Sequence, residues 1–360
     1  MRVKLDDVCE RGSSNLKQSD IIECKNGYPI YGASGLLGNI DFYHQDKAYV
    51  AVVKDGAGIG RTMFLPEKSS IIGTMQYLLP KQNILPRYLY YVVRYMHLEK
   101  YFSGATIPHI YFRDYKNEKF NLDSIEEQKK IVQTLEKVET VIEARQQQLQ
   151  KLDELVKSRF VKMFGRIAND KKVPMSEVCL IITDGTHQPP KFTSSGIPFL
   201  FVSNIAGNEI TYDSEKYISE ETYTQLIKRT PIEIGDVLLS TVGSYGHPAV
   251  VKSNKPFCFQ RHIAYLKPKT QLIDSYYLHG AILSVDIQKQ IEERVKGIAQ
   301  KTLNLSEIRK LRLPLPPIAL QKQFAEFVKQ VDKSKFIIQS SLDETQLLFD
   351  SLMQKYFQYH

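Results

Sequence analysis

Two long segments of the chain repeat apolar residues at alternating steps of four and three. The first segment, Ser124 to Met163, contains neither Pro nor Gly over its 40 residues, and the second follows 193 residues later. Such heptad spacing predicts a helix that packs along its length on another helix. The repeated positions are Ile131, Leu135, Val138, Ile142, Arg145, Leu149, Leu152 and Val156 in the first segment and Phe324, Val328, Val331, Lys335, Ile338, Leu342, Thr345 and Phe349 in the second. Each helix would span about 60 Å, and we expect the pair to form an antiparallel coiled coil within one chain.

The segments before these helices alternate short β-rich runs with glycine turns, and they are also related to each other. Residues directly upstream of the two helices match at the same offset of 193, whereas matches near the start of each segment fall at an offset of 170. This duplication predicts an α+β fold with two strand-rich domains in tandem, each followed by a long helix. We expect a first domain at 1–123, a first helix at 124–165, a second domain at 166–315 and a second helix at 316–360.

Local patterns within the two domains predict individual elements. Runs of apolar and β-branched residues bounded by turn residues indicate strands. Two shorter helices are also expected. The predicted strands are Ala48–Val53, Ile71–Leu79, Pro198–Val202 and Val237–Val242, and the predicted helices are Pro86–Met96 and Ser275–Lys289.

Composition narrows the class of protein. Hydrophobic residues make up 42% of the chain, which is ample for buried cores, but no apolar run is long enough to span a bilayer. The first residues form no apolar signal segment, so we expect a cytoplasmic protein without a membrane partner. The cysteines, Cys9, Cys24, Cys179 and Cys258, show no CxxC spacing. We therefore expect reduced thiols, with no metal site and no cofactor.

The net charge of +8 lies mostly outside the predicted helices. The two helices together carry a net charge of +1, which leaves +7 on the two domains. Such a basic excess is compatible with a polyanionic partner such as DNA, although many proteins without a nucleic-acid partner carry as much. The helices are predicted to be nearly neutral struts.

Short motifs occur in a fixed order in the two domains. The first domain contains YGASG at 31–35 and DGAGIG at 55–60. The second contains TDGTHQP at 183–189, GIPF at 196–199, VSNI at 202–205, GDVLL at 235–239 and GSYG at 243–246, and LPPI at 315–318 with Gln321 leads into the second helix. In this order, and with the duplicated helices, essentially the whole chain resembles the specificity (S) subunit of type I restriction–modification systems.

The resemblance implies a DNA reader that is not itself an enzyme. Two target-recognition domains would lie in the major groove of double-stranded DNA, each on one half of a bipartite target with an unread spacer between the halves. Two methyltransferase (M) subunits and the restriction (R) subunits would supply the chemistry. The helix pair would form much of the surface that holds the M subunits.

Twelve residues are candidates for contacts with DNA. Thr186 to Gln188, together with Lys191, offer side chains that pair with base edges or phosphate, and the alternative is an ordinary polar loop closed by two prolines. Lys54 and Arg61 flank a glycine loop able to cradle phosphate, although the lysine of a nucleotide-binding motif is missing. For His262, a structural role is the alternative to contact. The full set is Ser34, Lys54, Arg61, Thr186, His187, Gln188, Lys191, Asn204, Ser244, Tyr245, Arg261 and His262.

Two other classes of function stay open from the residues alone. The first is an enzyme, either a DNA methyltransferase with fused recognition or a nuclease. The sequence has no Asp/Asn-Pro-Pro-Tyr/Phe motif, and Glu127-Gln128-Lys129 has a nuclease-like spacing without a partner acidic motif. The second is a coiled-coil scaffold that binds only proteins, against which the divergence of the two domains argues. Separately, Arg145 in the seam could be a register device, a partner anchor or a side chain that reaches solvent. A steep loss of DNA affinity with salt would favour the DNA reader.

Overall fold

The structure is a computed structural model, and it describes residues 1–21, 24–104, 108–165, 172–297 and 301–358. The helices are α1 (Leu5–Val8), α2 (Pro86–Tyr95), α3 (Phe112–Tyr115), α4 (Ile125–Phe164), α5 (Met175–Val178), α6 (Glu220–Leu226), α7 (Ser275–Ile282), α8 (Val285–Arg294), α9 (Leu305–Lys310) and α10 (Ile318–Phe357). Both long helices predicted from the heptad spacing are therefore confirmed. Within the described residues, no helix is both long enough and apolar enough to cross a membrane.

The remaining regular structure consists of short strands. They are β1 (Arg2–Lys4), β2 (Cys9–Ser13), β3 (Tyr28–Gly32), β4 (Gly35–Ile40), β5 (Tyr49–Val53), β6 (Thr62–Leu65), β7 (Ser70–Ile71), β8 (Met75–Pro80), β9 (Lys119–Asn121), β10 (Lys172–Pro174), β11 (Cys179–Asp184), β12 (Ile197–Leu200), β13 (Tyr217–Ile218), β14 (Val237–Ser240), β15 (Pro248–Val250), β16 (Cys258–Phe259), β17 (Ile263–Pro268) and β18 (Arg312–Pro314). The predicted strand at Ala48–Val53 corresponds to β5, and the one at Val237–Val242 corresponds to β14.

The chain divides into two compact units, and the division crosses both long helices. Unit 1 comprises Met1–Gln147 and Gln339–His360, and unit 2 comprises Gln148–Ile338. Each unit therefore holds one strand-rich domain, the first part of the helix that follows it and the last part of the other helix. The sequence pattern gave four consecutive segments and did not reveal that each long helix is shared.

The two domains have the same sheet topology, strand for strand. Unit 1 contains a four-stranded sheet in the order β2-β8-β5-β6 and a three-stranded sheet in the order β4-β3-β7. Unit 2 repeats these as β11-β17-β14-β15 and β13-β12-β16. In both three-stranded sheets, the pair furthest apart in sequence is parallel, β3 with β7 and β12 with β16. The α+β fold class and the internal repeat predicted from the sequence are confirmed.

A two-stranded ribbon closes each domain next to its long helix. In unit 1, β1 pairs with β9, so Arg2 lies opposite Asn121 just before α4 begins. In unit 2, β10 pairs with β18, and Lys172 lies opposite Pro314 just before α10 begins. The first and last residues of each domain are therefore held together at the start of the helix.

Two predicted elements are divided in the structure. The apolar run Ile71–Leu79 is not one strand, because β7 ends at Ile71 and β8 begins at Met75 in a different sheet. Gly73 lies in the turn between them and donates its backbone N–H to the carbonyl oxygen of Leu16 at 2.7 Å. The predicted helix Ser275–Lys289 is two helices, because Ser284 caps α8 by accepting a hydrogen bond from the backbone N–H of Ile287.

The long helices pack against each other in antiparallel orientation. In unit 2, the Phe324 ring lies 5.4 Å from the Phe160 ring, and Lys335 forms an ion pair with Asp153. The residue number rises along α10 as it falls along α4, which fixes the orientation. Every position of the two predicted seams is buried or half-buried, including Arg145. The heptad prediction is therefore confirmed at the level of side-chain burial.

A buried glutamine joins each domain to the first turn of its helix. Gln128 is fully buried in unit 1, where its Oε1 accepts from the backbone N–H of Leu85 at 2.9 Å and its Nε2 donates to the carbonyl oxygens of Asn83 and Asp123. Gln321, which lies 193 residues later, makes the same three kinds of bond in unit 2 with Asp274, Leu272 and Pro316. The amide thus satisfies the backbone just before α2 or α7.

Replacing Gln321 with methionine should destabilise unit 2. The side chain keeps its approximate volume, but one backbone N–H and two carbonyl oxygens lose their buried partners, at a cost of about 3 kcal/mol. The urea midpoint of the full-length chain should fall accordingly. Gln323→Met, at an exposed position on the same helix, is the matched control and should leave the midpoint unchanged. Equal midpoints for the two variants would show that the amide network contributes little.

Candidate nucleic-acid interface

One end of the four-stranded sheet of unit 2 gathers several predicted site residues. Strands β11 and β14 end where β17 begins, because the register pairs Asp184 with Ala264 and Ser240 with Ile263. The loops that follow β11 and β14 must therefore meet the loop that precedes β17. We call residues 185–191, 241–247 and 260–262 the sheet-end loops of unit 2.

Backbone hydrogen bonds tie these three loops together. Thr186 donates its N–H to the carbonyl oxygen of Phe259 at 3.1 Å, and Arg261 donates to the carbonyl oxygen of Thr186 at 3.0 Å. Thr241 donates to the carbonyl oxygen of His262 at 2.9 Å. Thr186, Arg261 and His262, which are far apart in sequence, are thus brought to one surface.

The first loop presents its polar side chains outward. His187, Gln188 and Lys191 are exposed, and the Thr186 hydroxyl turns back to donate to the carbonyl oxygen of Gln188 at 3.1 Å. The segment is therefore an exposed polar loop with one internal hydrogen bond, a structure that both alternatives for this segment share. Such a loop leaves the Gln188 amide and the Lys191 ammonium accessible to an external partner.

His187 is oriented by a carboxylate that also binds an arginine, a contact that the sequence did not reveal. Its Nε2 lies 2.9 Å from Oδ2 of Asp184, and Arg229 donates to the other oxygen of the same carboxylate at 2.6 Å. Arg229 lies just after α6, 45 residues from Asp184, and no local motif marks it. The carboxylate therefore fixes two basic side chains beside the exposed loop.

The third loop pairs a charged group with a neutral one. Arg261 is exposed, and its Nε donates to Nε2 of His262 at 3.3 Å. Burial lowers the pKa of His262, and the charge of Arg261 lowers it further. The imidazole therefore stays neutral near pH 7 and accepts the hydrogen bond from Arg261. His262 can thus orient the Arg261 side chain while it lies at the surface itself.

The middle loop depends on glycines. Gly243 and Gly246 have φ values of 71° and 81°, in the left-handed region that side chains other than glycine rarely adopt. Gln288 donates to the carbonyl oxygen of Gly246 at 2.9 Å and holds the loop to α8. Between the glycines, Ser244 is exposed and Tyr245 is half-buried against the domain core. Ser244 thus lies on the sheet-end surface, and Tyr245 supports it.

Asn204 does not belong to this surface. Its side chain is buried, its Oδ1 accepts from the backbone N–H of Phe201 at 2.9 Å, and its Nδ2 donates to the carbonyl oxygens of Thr211 and Asp213. The amide is fully used inside the domain, so no part of it remains for a base edge. This placement contradicts the expectation that Asn204 contacts DNA, and its role is to hold the loop after β12.

The equivalent end of the unit 1 sheet carries the glycine loop. Val53 at the end of β5 lies opposite Met75 at the start of β8, and residues 54–61 follow directly. Arg61 reaches across to donate to the carbonyl oxygen of Ala33 at 2.9 Å, which brings Arg61 beside the exposed Ser34. Lys54 is half-buried at the base of the loop.

The glycine loop of unit 1 is also tied to a later segment. Nδ1 of His109 lies 2.7 Å from a carboxylate oxygen of Asp55, and the backbone N–H of Gly56 donates to the carbonyl oxygen of Pro108 at 3.0 Å. His109 was missed in the sequence because its partner lies 54 residues away. Residues 105–107, adjacent to this contact, lie outside the described residues.

Groups that could have carried chemistry are used structurally. Cys9, Cys179 and Cys258 are buried free thiols, and burial raises the pKa of each to about 12. Glu127 forms an exposed ion pair with Lys130 at 2.9 Å, so its carboxylate belongs to the solvated face of α4. Among the described residues, no three His, Cys, Asp or Glu side chains are grouped to hold a metal ion.

Comparison with known families decides the identity. The type I restriction modification DNA specificity domain matches twice, at residues 1–154 and 171–345, and so covers most of the chain. The chain belongs to this family. As a specificity subunit it is a recognition component and not an enzyme, which confirms the resemblance drawn from the motifs.

Curated relatives of this specificity subunit are distant but extensive. The type I restriction enzyme MjaVIII specificity subunit of Methanocaldococcus jannaschii is 24% identical over 310 residues, covering 79% of this chain and 72% of the relative. The EcoBI specificity subunit of Escherichia coli is 23% identical over 290 residues, covering 71% of this chain and 61% of the relative.

A solved structure shows the same fold. The S subunit of a type I restriction–modification system from M. genitalium superposes with a TM-score of 0.62 over 100% of this chain and 96% of that chain, at 16% identity. A second structure, described as part of the assembly and conformational transition of the type I system, gives a TM-score of 0.51 at 16% identity. These similarities agree with a fold in which each of two similar domains is followed by a long helix.

Proposed function

We propose that this specificity subunit reads a bipartite double-stranded DNA target, with one half-site bound by the sheet-end loops of unit 2 and the other by the glycine loop of unit 1 at residues 54–61. The observation that carries the proposal is that each domain has a four-stranded sheet of the same topology. At the equivalent end of the two sheets, the domains present different side chains. One scaffold with two different surfaces suits the reading of two different half-sites.

The chemistry of the sheet-end loops of unit 2 suits base edges. The Gln188 amide can donate to and accept from an adenine edge, and the guanidinium of Arg261 can donate twice to a guanine edge in the major groove. Lys191 is placed to neutralise a phosphate. His187 is held by Asp184, so less conformational freedom is lost when it meets a ligand.

Unit 1 offers a different surface. Gly56, Gly58 and Gly60 all have φ between 80° and 92°, a conformation that glycine adopts readily, and the N–H groups of Gly56 and Gly60 donate within the domain to the carbonyl oxygens of Pro108 and Val53. Arg61 and Ser34 lie beside this loop. The proposed interface of unit 1 therefore depends on one long basic side chain and a hydroxyl beside a glycine turn, and that of unit 2 depends on several polar and basic side chains.

We further propose that two methyltransferase subunits dock on the paired helices and that restriction subunits complete the assembly. The second helix carries large apolar side chains outside the seam. Phe336 and Ile337 are 76% and 68% exposed in unit 2, and Leu347 and Leu348 are 67% and 51% exposed in unit 1. Large exposed apolar residues on an otherwise polar helix are typical of a protein partner surface.

Replacing Phe336 and Ile337 together with glutamine should weaken binding of the methyltransferase subunit from the same system by about 100-fold, because two apolar anchors are removed. Affinity measured by calorimetry with the full-length chain tests this. Val285→Gln is the matched control, because Val285 is 87% exposed but lies on α8 of the domain. Equal affinity in all three proteins would place methyltransferase docking elsewhere.

Replacing Arg261 or Gln188 with alanine should weaken binding to the natural target by about tenfold and relax base preference in one half-site only. Lys191→Ala should instead reduce the salt dependence of binding without changing the base preference. Binding titrations at several salt concentrations, with the assembled methyltransferase, separate these effects. Lys333→Ala, exposed on α10, is the control. DNA affinity that is insensitive to salt and to all three changes would favour a protein-binding scaffold.

A further inference from the structure

An acidic residue on the first long helix receives several groups from the domain of unit 1. Arg87 and Arg94 on α2 donate to the two carboxylate oxygens of Glu139 at 2.7 and 2.8 Å, and the Tyr91 hydroxyl donates to the same carboxylate at 2.6 Å. The Glu139 side chain is only 15% exposed. A partly buried carboxylate with three donors holds α2 at one position along α4.

An acidic residue occupies the same place on the second long helix. Asp332 lies 193 residues after Glu139, the offset that relates the two helices, and its carboxylate accepts from Lys252 at 2.7 Å. Lys252 also lies 3.4 Å from Glu209 of the same domain. The Asp332 side chain is 24% exposed. Each helix thus presents a partly buried carboxylate to its own domain at an equivalent position, and on the first helix the more exposed Glu136 also lies 3.3 Å from Arg87.

The basic partners come from different elements of the two domains. In unit 1 they lie on α2, whereas in unit 2 Lys252 follows β15, and the equivalent helix α7 carries Tyr276 at its second residue, where α2 carries Arg87. The acidic residue therefore lies at the same position in both long helices, whereas the basic residues that bind it lie on different elements of the two domains. Because different basic residues bind the carboxylate at this position in the two units, we infer that both domains need an ionic contact with the helix here.

We propose that Glu139 and Asp332 are positioning residues that fix how each recognition domain is held on its helix, and so determine how sharply the protein discriminates spacer length in a bipartite target. The inference rests on the proposed function. The carboxylates do not touch DNA. Apolar packing of the domain against the helix stabilises the contact but tolerates small rotations, whereas a carboxylate held by two arginines or a short ion pair is directional.

The first test uses DNA selection with the assembled methyltransferase. Glu139→Gln and Asp332→Asn keep side-chain size and remove the charge. Discrimination between neighbouring spacer lengths should fall by about tenfold, while the bases selected in both half-sites stay the same. Glu139→Asp and Asp332→Glu should restore most of the discrimination. Glu326→Gln, exposed on α10, is the control and should behave as wild type.

The second test does not depend on DNA. Lys228 and Lys322, both exposed in unit 2, are replaced with cysteine and spin-labelled, and Cys24 is replaced with serine so that it does not react. The two labels report the distance between the domain and its helix. The distribution should be narrow in the wild type and in Asp332→Glu, and broader in Asp332→Asn. Lys252→Gln should reproduce the broadening, and combining it with Asp332→Asn should add nothing, because either change alone already removes the Lys252–Asp332 pair.

The outcomes separate the two proposals. A wild-type protein that selects no two-part sequence would overturn the proposed function, and the label distances would then decide the positioning role by themselves. Unchanged spacer discrimination together with an unchanged distance distribution in Asp332→Asn would overturn the inference. Altered base preference within a half-site would also overturn it, because the carboxylate would then act on reading rather than on position.

Discussion

Inserting one heptad into each long helix, after Leu149 and after Leu342, should shift the preferred spacing of the half-sites and weaken binding to the natural target. Seven residues add about 10.5 Å to each helix, which corresponds to about 3 base pairs. A heptad preserves the phase of the seam, so the antiparallel pair stays matched.

The loss of affinity follows from the helical pitch of DNA. Three base pairs rotate the duplex by roughly 100°, at 10 to 10.5 base pairs per turn. The coiled coil does not follow this rotation, because a heptad turns the seam very little. At the natural spacing, one domain should lose its base contacts, and several lost contacts at 1 to 3 kcal/mol each predict a decrease on the order of 100-fold or more.

Selection of bound sequences from a library of spacer lengths measures the effect. The doubly extended protein should bind more weakly and should select longer spacers. An insertion in one helix alone should break the register and lower the thermal midpoint. An unchanged spacer preference at undiminished affinity in the doubly extended protein would show that the helices do not set the spacing.

Exchanging the first recognition domain for another of its family should change one half of the target and leave the other half intact. The sequence suggests an exchange of residues 1 to about 105, but the structure places a better boundary at 123. Pairing of β1 with β9 and burial of Phe112 and Tyr115 join residues 108–122 to the rest of the domain. A cut at 105 would divide that core.

The aromatic contacts at the ends of the helices decide whether the hybrid folds. Tyr88 is fully buried and its ring lies 5.4 Å from that of Phe357, so the incoming domain must carry an aromatic residue there. With that residue retained, methylation mapping of the hybrid should show a new first half-site and an unchanged second one. A change in both halves, or in neither, would contradict independent reading.

The long helices could be predicted from the sequence because their signal is long and duplicated. Predicted Ser124–Met163 differs from the observed Ile125–Phe164 by one residue at each end. The fold class could also be predicted, because two related segments of sequence are expected to fold into two domains with the same topology. Short apolar runs were harder to interpret. Ile71–Leu79 is mostly apolar and β-branched or aromatic, and only Gly73 and Thr74 mark the turn between strands of two different sheets.

Candidate surface residues could be predicted from the sequence where a short local motif marks the loop. They could not be predicted where contacts between residues distant in sequence place the side chain. Thr186 to Gln188 and the glycine loop of unit 1 were visible as short polar or glycine-rich stretches. For Asn204, neither its burial nor its hydrogen bonds to the carbonyl oxygens of Thr211 and Asp213 can be predicted from the motif at 202–205. Glu139 looked like any charge on a solvated helix face, and its equivalence to Asp332 at the repeat offset was the only available signal.

The central claim is that one chain reads two half-sites through two equivalent but different surfaces. Base-resolved methylation mapping of a host with and without this gene, in the presence of its methyltransferase partner, tests it most directly. The expected result is a gene-dependent methylated motif made of two defined half-sites separated by a spacer of fixed length and free sequence. A continuous motif, or a methylation pattern that is unchanged when the gene is removed, would contradict the claim.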